Sequence, residues 1–115
     1  MLFVCYPRCG TCKKAEKWLS EKGVSFTKRD IAKENPTVEE LREWHEKSGL
    51  PLKRFFNTSG KLYREMGLKD RLKEMSEDEM YELLGTDGLL VKRPIAVEGD
   101  TVRVGFKEEE YRVFL

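Results

Sequence analysis

An α/β fold built on a mixed sheet is what this 115-residue chain predicts, and three observations carry the prediction. A short apolar run, Leu2-Phe3-Val4-Cys5-Tyr6, leads through Pro7 and Arg8 into Cys9-Gly10-Thr11-Cys12 at the start of a helical pattern. The middle of the chain, residues 32–88, carries helix start and stop signals and almost no strand signal. The end returns to strand alternation in Ile95-Ala96-Val97 and Val102-Arg103-Val104, separated by a Gly99-Asp100 turn.

Taken in order, Leu2 to Tyr6 reads as a short buried strand. Cys12 to Lys22 reads as a helix with Ala15, Trp18 and Leu19 on one face and Gly23 at its end. Val24 to Ile31 reads as a second strand, with Val24 and Phe26 alternating against polar neighbours. A strand, a crossover helix and a strand imply a parallel pair. Thr37-Val38-Glu39-Glu40 is a capping box, and Leu41, Trp44 and His45 continue a helix to Gly49. His45 is expected on the helix surface. Leu50-Pro51 interrupts the chain, and Leu62, Tyr63 and Met66 suggest a short helix ending at Gly67. Ser76-Glu77-Asp78-Glu79 is a second capping box, and Gly85 closes the helix that follows it. Lys107 to Phe114 reads as a last helix. The order β-α-β, helices, β-β-α is that of a thioredoxin-like fold with a mixed sheet. On this reading residues 1–115 form a single domain, and 32–88 are a mostly helical insertion within it.

Composition narrows the function classes. The 39% hydrophobic content supports a core without disulfide staples. Lys and Arg number 22 against 21 Asp and Glu, so a net charge of +1 argues against nucleic acid or a membrane surface as a bulk partner. No stretch approaches the roughly 20 apolar residues of a membrane span. The three cysteines all lie within positions 5–12, whereas a secreted disulfide framework would spread them along the chain. No signal peptide is visible, and the expectation is a monomer in a reducing cytoplasm.

The cysteines carry the chemistry. Two thiols spaced CxxC at a helix N-terminus can meet in a small loop, and the free N–H groups of the first turn stabilise a thiolate on the first of them. That makes Cys9 the exposed nucleophile, with Arg8, Lys13 and Lys14 nearby to favour the anion, and Cys12 the shielded resolving thiol one turn later. Cys5 reads as a small buried hydrophobe on the first strand. The three cysteines also form C-x3-C-x2-C, a pattern that can hold a cluster. A zinc site would need a fourth ligand, and His45 is the only histidine, so no metal is expected.

Four blocks resemble the arsenate reductase/Spx family: Tyr6-Pro7-Arg8-Cys9-Gly10-Thr11-Cys12, Tyr63-Arg64-Glu65-Met66-Gly67-Leu68, Lys92-Arg93-Pro94-Ile95-Ala96-Val97, and Val104-Gly105-Phe106-Lys107-Glu108-Glu109-Glu110. The resemblance spans essentially the whole chain, and in texture the chain is most similar to the family's thiol reductase-like branch. It implies that Cys9 is the nucleophile, that Pro94 is cis beside the CxxC, and that Arg93 points near the thiolate to bind or stabilise negative charge. It further implies that Arg8, Gly10, Thr11 and Pro94 surround the substrate. No bound cofactor is implied. The reductant would be an external thiol: glutathione, glutaredoxin or thioredoxin.

The resemblance implies two classes of function. One is a thiol–disulfide oxidoreductase. The other is an Spx-like redox-sensing regulator that binds the α subunit of RNA polymerase. The family's arsenate reductases place three arginines around the anion and a histidine where this chain has Cys5. Of the arginines only Arg93 has a match, since Asn57 stands at the second position and Val104-Gly105-Phe106-Lys107 has none in register. Arsenate is therefore a doubtful substrate.

Overall fold

In a computed structural model describing residues 1–115, the chain forms a four-stranded sheet covered on both faces by helices. The strands are β1 (Leu2–Cys5), β2 (Thr27–Asp30), β3 (Ile95–Glu98) and β4 (Thr101–Val104), in the order β2-β1-β3-β4. β1 and β2 run parallel, and β3 is antiparallel to both β1 and β4. The crossover between the parallel strands is helix α1 (Gly10–Glu21). The fold is the expected α/β, thioredoxin-like one.

Because successive strand residues point to opposite faces, each strand divides its side chains between two cores. Phe3 and Cys5 of β1 and Ala96 of β3 face α1, where they pack with Cys12, Ala15, Trp18, Leu19 and Tyr111. Val4, Ile95, Val102 and Val104 face the other way. They are covered by α2 (Val38–Ser48), α3 (Lys61–Glu65), α4 (Leu68–Arg71), α5 (Glu77–Leu84) and short 3-10 turns between and after them. Trp18 and Trp44 are both core residues, as their spacing predicts. The chain ends in α6 (Glu108–Tyr111) and a 3-10 turn, Arg112–Phe114, where the sequence suggests one helix.

The second strand differs from expectation. Pairing begins at Leu2 opposite Thr27, so β2 is the polar segment Thr27-Lys28-Arg29-Asp30 and not Val24–Ile31. Val24 and Phe26 precede the ladder and pack into the α1-side core, Phe26 edge-on to Phe3 with ring centroids 5.4 Å apart. A polar edge strand is stable here because each face offers it a carboxylate. Lys28 reaches Glu16 on α1 at 3.0 Å, and Arg29 holds Glu40 on α2 through two bonds of 2.7 and 2.8 Å. Charged side chains on an exposed edge also discourage pairing with another chain. The first helix begins at Gly10, two residues before Cys12, because Cys9 serves as its N-cap.

Both capping boxes form. Thr37 and Ser76 each accept from the backbone N–H three residues on, and Glu40 and Glu79 reach back to the cap N–H. His45 lies half-buried, not on the surface, with Nδ1 2.6 Å from the Tyr81 hydroxyl and its ring edge-on to Phe55. The segment between β2 and β3 leaves and returns at one place. Gly88 approaches the Ile31 carbonyl so closely that a Cβ there would overlap it. Beside it the Asn35 amide donates to the carbonyls of Pro36 at 2.9 Å and Gly85 at 3.1 Å.

Glu40 thus caps α2 and anchors β2 at once. The Arg29 guanidinium holds its carboxyl below the usual carboxylate range, and the Thr37 N–H adds to this. The stabilisation is fully present above the unfolded carboxylate pKa of ~4.3 and is lost as pH falls through the lower folded-state value. Glu40→Gln should cost about 1–2 kcal/mol at neutral pH, typical of a charge-assisted pair that is partly solvated. In urea titrations the gap to wild type should shrink once pH drops below ~4.

Candidate active site

The site is assembled where β1 ends, α1 begins and the segment before β3 passes. Tyr6 leaves β1, and Cys9 N–H donates to its carbonyl at 3.0 Å, which turns the chain into α1. Cys9 stays extended, with φ −95° and ψ 118°, as an N-cap requires. Its side chain does what a capping oxygen normally does, since Cys12 N–H donates to Cys9 Sγ at 3.3 Å. Cys12 is buried, and Tyr6 N–H donates to its Sγ at 3.4 Å. All three cysteines are free thiols.

The two thiols of the pair are pushed in opposite directions. Burial acts to raise Cys9, but hydrogen bonds from the Cys12 thiol and the Cys12 N–H, together with the Arg93 guanidinium, outweigh it and hold Cys9 below the ordinary thiol range. Cys12 is pushed far up, chiefly by burial and further by the negative charge of Cys9, while the Tyr6 N–H opposes the shift. Of the two thiols, Cys9 is therefore the one that gives up its proton first. Cys5 is raised to about 11, mainly by burial, and lies 4% exposed in the α1-side core. It shares a cavity of about 430 Å³ with Cys12, Lys13, Glu16, Lys28 and Asp30.

The Arg93–Pro94 peptide is cis, and Pro94 is buried with its carbonyl accepting from Gly105 N–H at 2.8 Å. Arg93 lies across the Tyr6 ring, its Cζ 5.0 Å from the centroid. One of its Nη atoms is buried and has no hydrogen-bond partner in the chain. Arg93 and Tyr6 line a cavity of about 480 Å³ with Asn57, Lys61, Glu65 and Asp87.

Other residues singled out from the sequence fall less centrally. Arg8 is exposed just before Cys9, Gly10, Thr11, Lys13 and Lys14 are exposed on the first turns of α1, and the cation that acts on Cys9 is Arg93. Phe106, within the segment 104–107 that has no arginine in register, packs against Trp18 and Tyr111 at 6.1 and 4.9 Å. Asn57 does line the Arg93 cavity, but as a neutral amide whose Nδ2 lies 3.4 Å from the Leu89 carbonyl. Sequence reasoning missed the support that Tyr6 gives Arg93. Its only trace is an aromatic residue at the end of the first strand. Lys61 and Asp87 have no local mark in the sequence, and Glu65, although within the block 63–68, is not marked there as lining the Arg93 cavity.

Fold and site together define an α/β protein of thioredoxin-like architecture with two thiols at the start of its first helix. The family model described as ArsC matches residues 5–114, and the chain belongs to the ArsC family. It is 54% identical to YusI of Bacillus subtilis over 96% of this chain and 94% of that protein. It is 29% identical to the global transcriptional regulator Spx 2 of Bacillus anthracis, over 93% of this chain and 80% of that one. Among solved structures, an ArsC family related protein from Bacteroides fragilis superimposes with a TM-score of 0.98 at 52% identity, over 99% of this chain and 96% of that one. No helix is long and apolar enough to cross a membrane.

The geometry makes Arg93 the tunable element. Arg93→Ala removes the guanidinium that favours the Cys9 anion, so the Cys9 pKa should rise and the thiolate fraction at neutral pH should fall. Thiolate absorbance followed against pH in the reduced protein reads this directly. Arg93→Lys, which keeps charge but loses the planar stack on Tyr6, should fall between the two.

Proposed function

We propose that this chain is a thiol–disulfide oxidoreductase in which Cys9 attacks and Cys12 resolves. The observation that carries the reading is the opposed pair of thiols at one helix start: a lowered, half-exposed Cys9 hydrogen-bonded to a raised, buried Cys12. The Cys9 thiolate attacks one sulfur of a substrate disulfide, forming a mixed disulfide and expelling the other sulfur as a thiolate, which takes a proton from solvent. That step consumes the charge on Cys9. The repulsion that helped keep Cys12 protonated disappears with it, so Cys12 ionises more readily once it is needed. Cys12 then attacks Cys9 Sγ and releases the second substrate thiol, leaving a Cys9–Cys12 disulfide. Two electrons from an external thiol system, glutathione with glutaredoxin or a thioredoxin, return the pair to the dithiol. Arg93 stabilises negative charge at the attacking sulfur, and Pro94 with the exposed residues Arg8, Gly10 and Thr11 on either side of Cys9 borders the incoming disulfide. Such a cycle suits a reducing cytoplasm.

The similarity to Spx 2 favours a second reading, a redox-sensing regulator that uses the same disulfide as a switch and binds the α subunit of RNA polymerase. The two separate cleanly. An oxidoreductase turns over a small disulfide many times per chain, whereas a regulator binds purified α subunit and turns over little.

Mild alkylation of the reduced protein should label Cys9 first, Cys12 slowly and Cys5 only on unfolding. Cys12→Ser should accumulate mixed disulfides on Cys9, and Cys9→Ser should accumulate none, read by mass spectrometry. A bond between Cys5 and either partner in the oxidised protein would overturn the assignment.

Arsenate reduction should be weak. One arginine faces the site where three would share a dianion, and each missing charge-assisted hydrogen bond costs about 1.5–3 kcal/mol. Turnover at ~1 s⁻¹ or faster with either glutaredoxin and glutathione or thioredoxin would contradict this.

A further inference from the structure

The fold gathers a basic face beside the thiol site that no stretch of the sequence displays. Lys53, Arg54 and Lys92 line a cavity of about 370 Å³ with Pro51, Phe56 and Thr58, and no carboxylate borders it. Arg54 also borders a neighbouring cavity of about 350 Å³ that adds Arg103 and Lys107, with Glu110 as its one carboxylate. Five cations therefore face one acid, in a chain whose charges otherwise balance. None of the five is in an ion pair, although seven other cations of the chain are. Arg103 is pinned by backbone carbonyls instead, donating to those of Glu110 at 3.3 Å and Val102 at 3.1 Å.

The face is built into the site. Lys92 N–H donates to the Phe55 carbonyl at 2.8 Å, and Phe56 bridges Val91 in antiparallel fashion, so residues 53–58 are tied to the segment that delivers Arg93 and Pro94. The Lys92 stem lies against Gly105, where a Cβ would come within 3.7 Å of its Cε. That glycine is the residue bonded to the Pro94 carbonyl.

We propose that this face docks an acidic segment of a protein whose disulfide is presented to Cys9. The proposal rests on the thiol–disulfide reading above. Charge complementarity of this kind raises encounter rates by 10–10³ and orients the partner. A peptide fits better than a nucleic acid. The only aromatic ring at the face, Phe56, is 1% exposed and offers no surface for a base to stack on.

The test uses two disulfide peptides that differ only in flanks of Asp/Glu or Lys/Arg, together with the small neutral 2-hydroxyethyl disulfide. At low ionic strength the wild-type protein should reduce the acidic peptide at least about tenfold faster than the basic one, and the advantage should collapse with added salt. Lys53→Glu/Arg54→Glu should abolish the preference. Lys17→Glu/Lys73→Glu, which changes net charge equally on exposed positions elsewhere, should retain most of it. Equal rates for both peptides, or equal loss in the two double variants, would overturn the proposal. If the protein fails to exchange even the small disulfide, the oxidoreductase reading fails by itself. A cysteine-free acidic peptide titrated by fluorescence then judges the face alone: binding lost in Lys53→Glu/Arg54→Glu supports it, and no binding to wild type overturns it. A single-stranded oligonucleotide that binds the face where the acidic peptide does not would also overturn it.

Discussion

A sulfur stands where a helix cap usually has an oxygen, and the site is organised around that substitution. The first turn of α1 has amide groups without intrahelical partners, and Cys9 answers one of them with its Sγ. A thiolate accepts that bond better than a thiol does, so the cap bond also favours ionisation of Cys9. Cys12 gains the opposite character from the same turn. It sits one turn inside, in the core shared with Phe3, Ala15 and Tyr111, where charge is costly. The asymmetry arises from the residues that start the helix, and Arg93, held on the Tyr6 ring, adds to it. Moving the helix start by one residue would remove the cap and the asymmetry together.

What could be read from the sequence is what is local. Thr37 with Glu40 and Ser76 with Glu79 predict their helix starts because both partners of each box lie within four residues. The CxxC at a strand-to-helix junction predicts the layout of Cys9 and Cys12 for the same reason. The second strand was misplaced because Val24 and Phe26 carry the apolar alternation of a strand while lying outside the ladder. The real strand is polar and is held by Glu16 and Glu40 from two different helices. No pattern in a single segment announces that. His45 was misread similarly, since its burial depends on Tyr81, which lies 36 positions away.

The electrostatics of the site show the same division. Arg93 is visible beside Pro94 in the chain, but its support by the Tyr6 ring is a tertiary contact. The acids Glu65 and Asp87 share its cavity with Lys61, which makes the surroundings mixed in charge rather than uniformly cationic. With Asn57 neutral and Phe106 turned into the aromatic cluster of Trp18 and Tyr111, Arg93 is the one arginine lining the cavity. The positive charge lies instead on the outer side of the Arg93 segment, around Lys53, Arg54 and Lys92.

The close approach of Gly88 to Ile31 has a consequence for how such a protein can change over time. The path from β2 to β3 is closed at its base like a drawstring, by that contact and by the Asn35 amide. What lies between starts and ends at one place, so the entropic cost of closing a longer or shorter path grows only with the logarithm of its length. Residues can therefore be added in the outer turns of that path, while the helix faces that pack on Val4, Ile95, Val102 and Val104 must stay apolar to keep the sheet covered. The outward faces can then differ while the cysteine pair and the cis-proline segment keep their places, provided position 88 stays glycine.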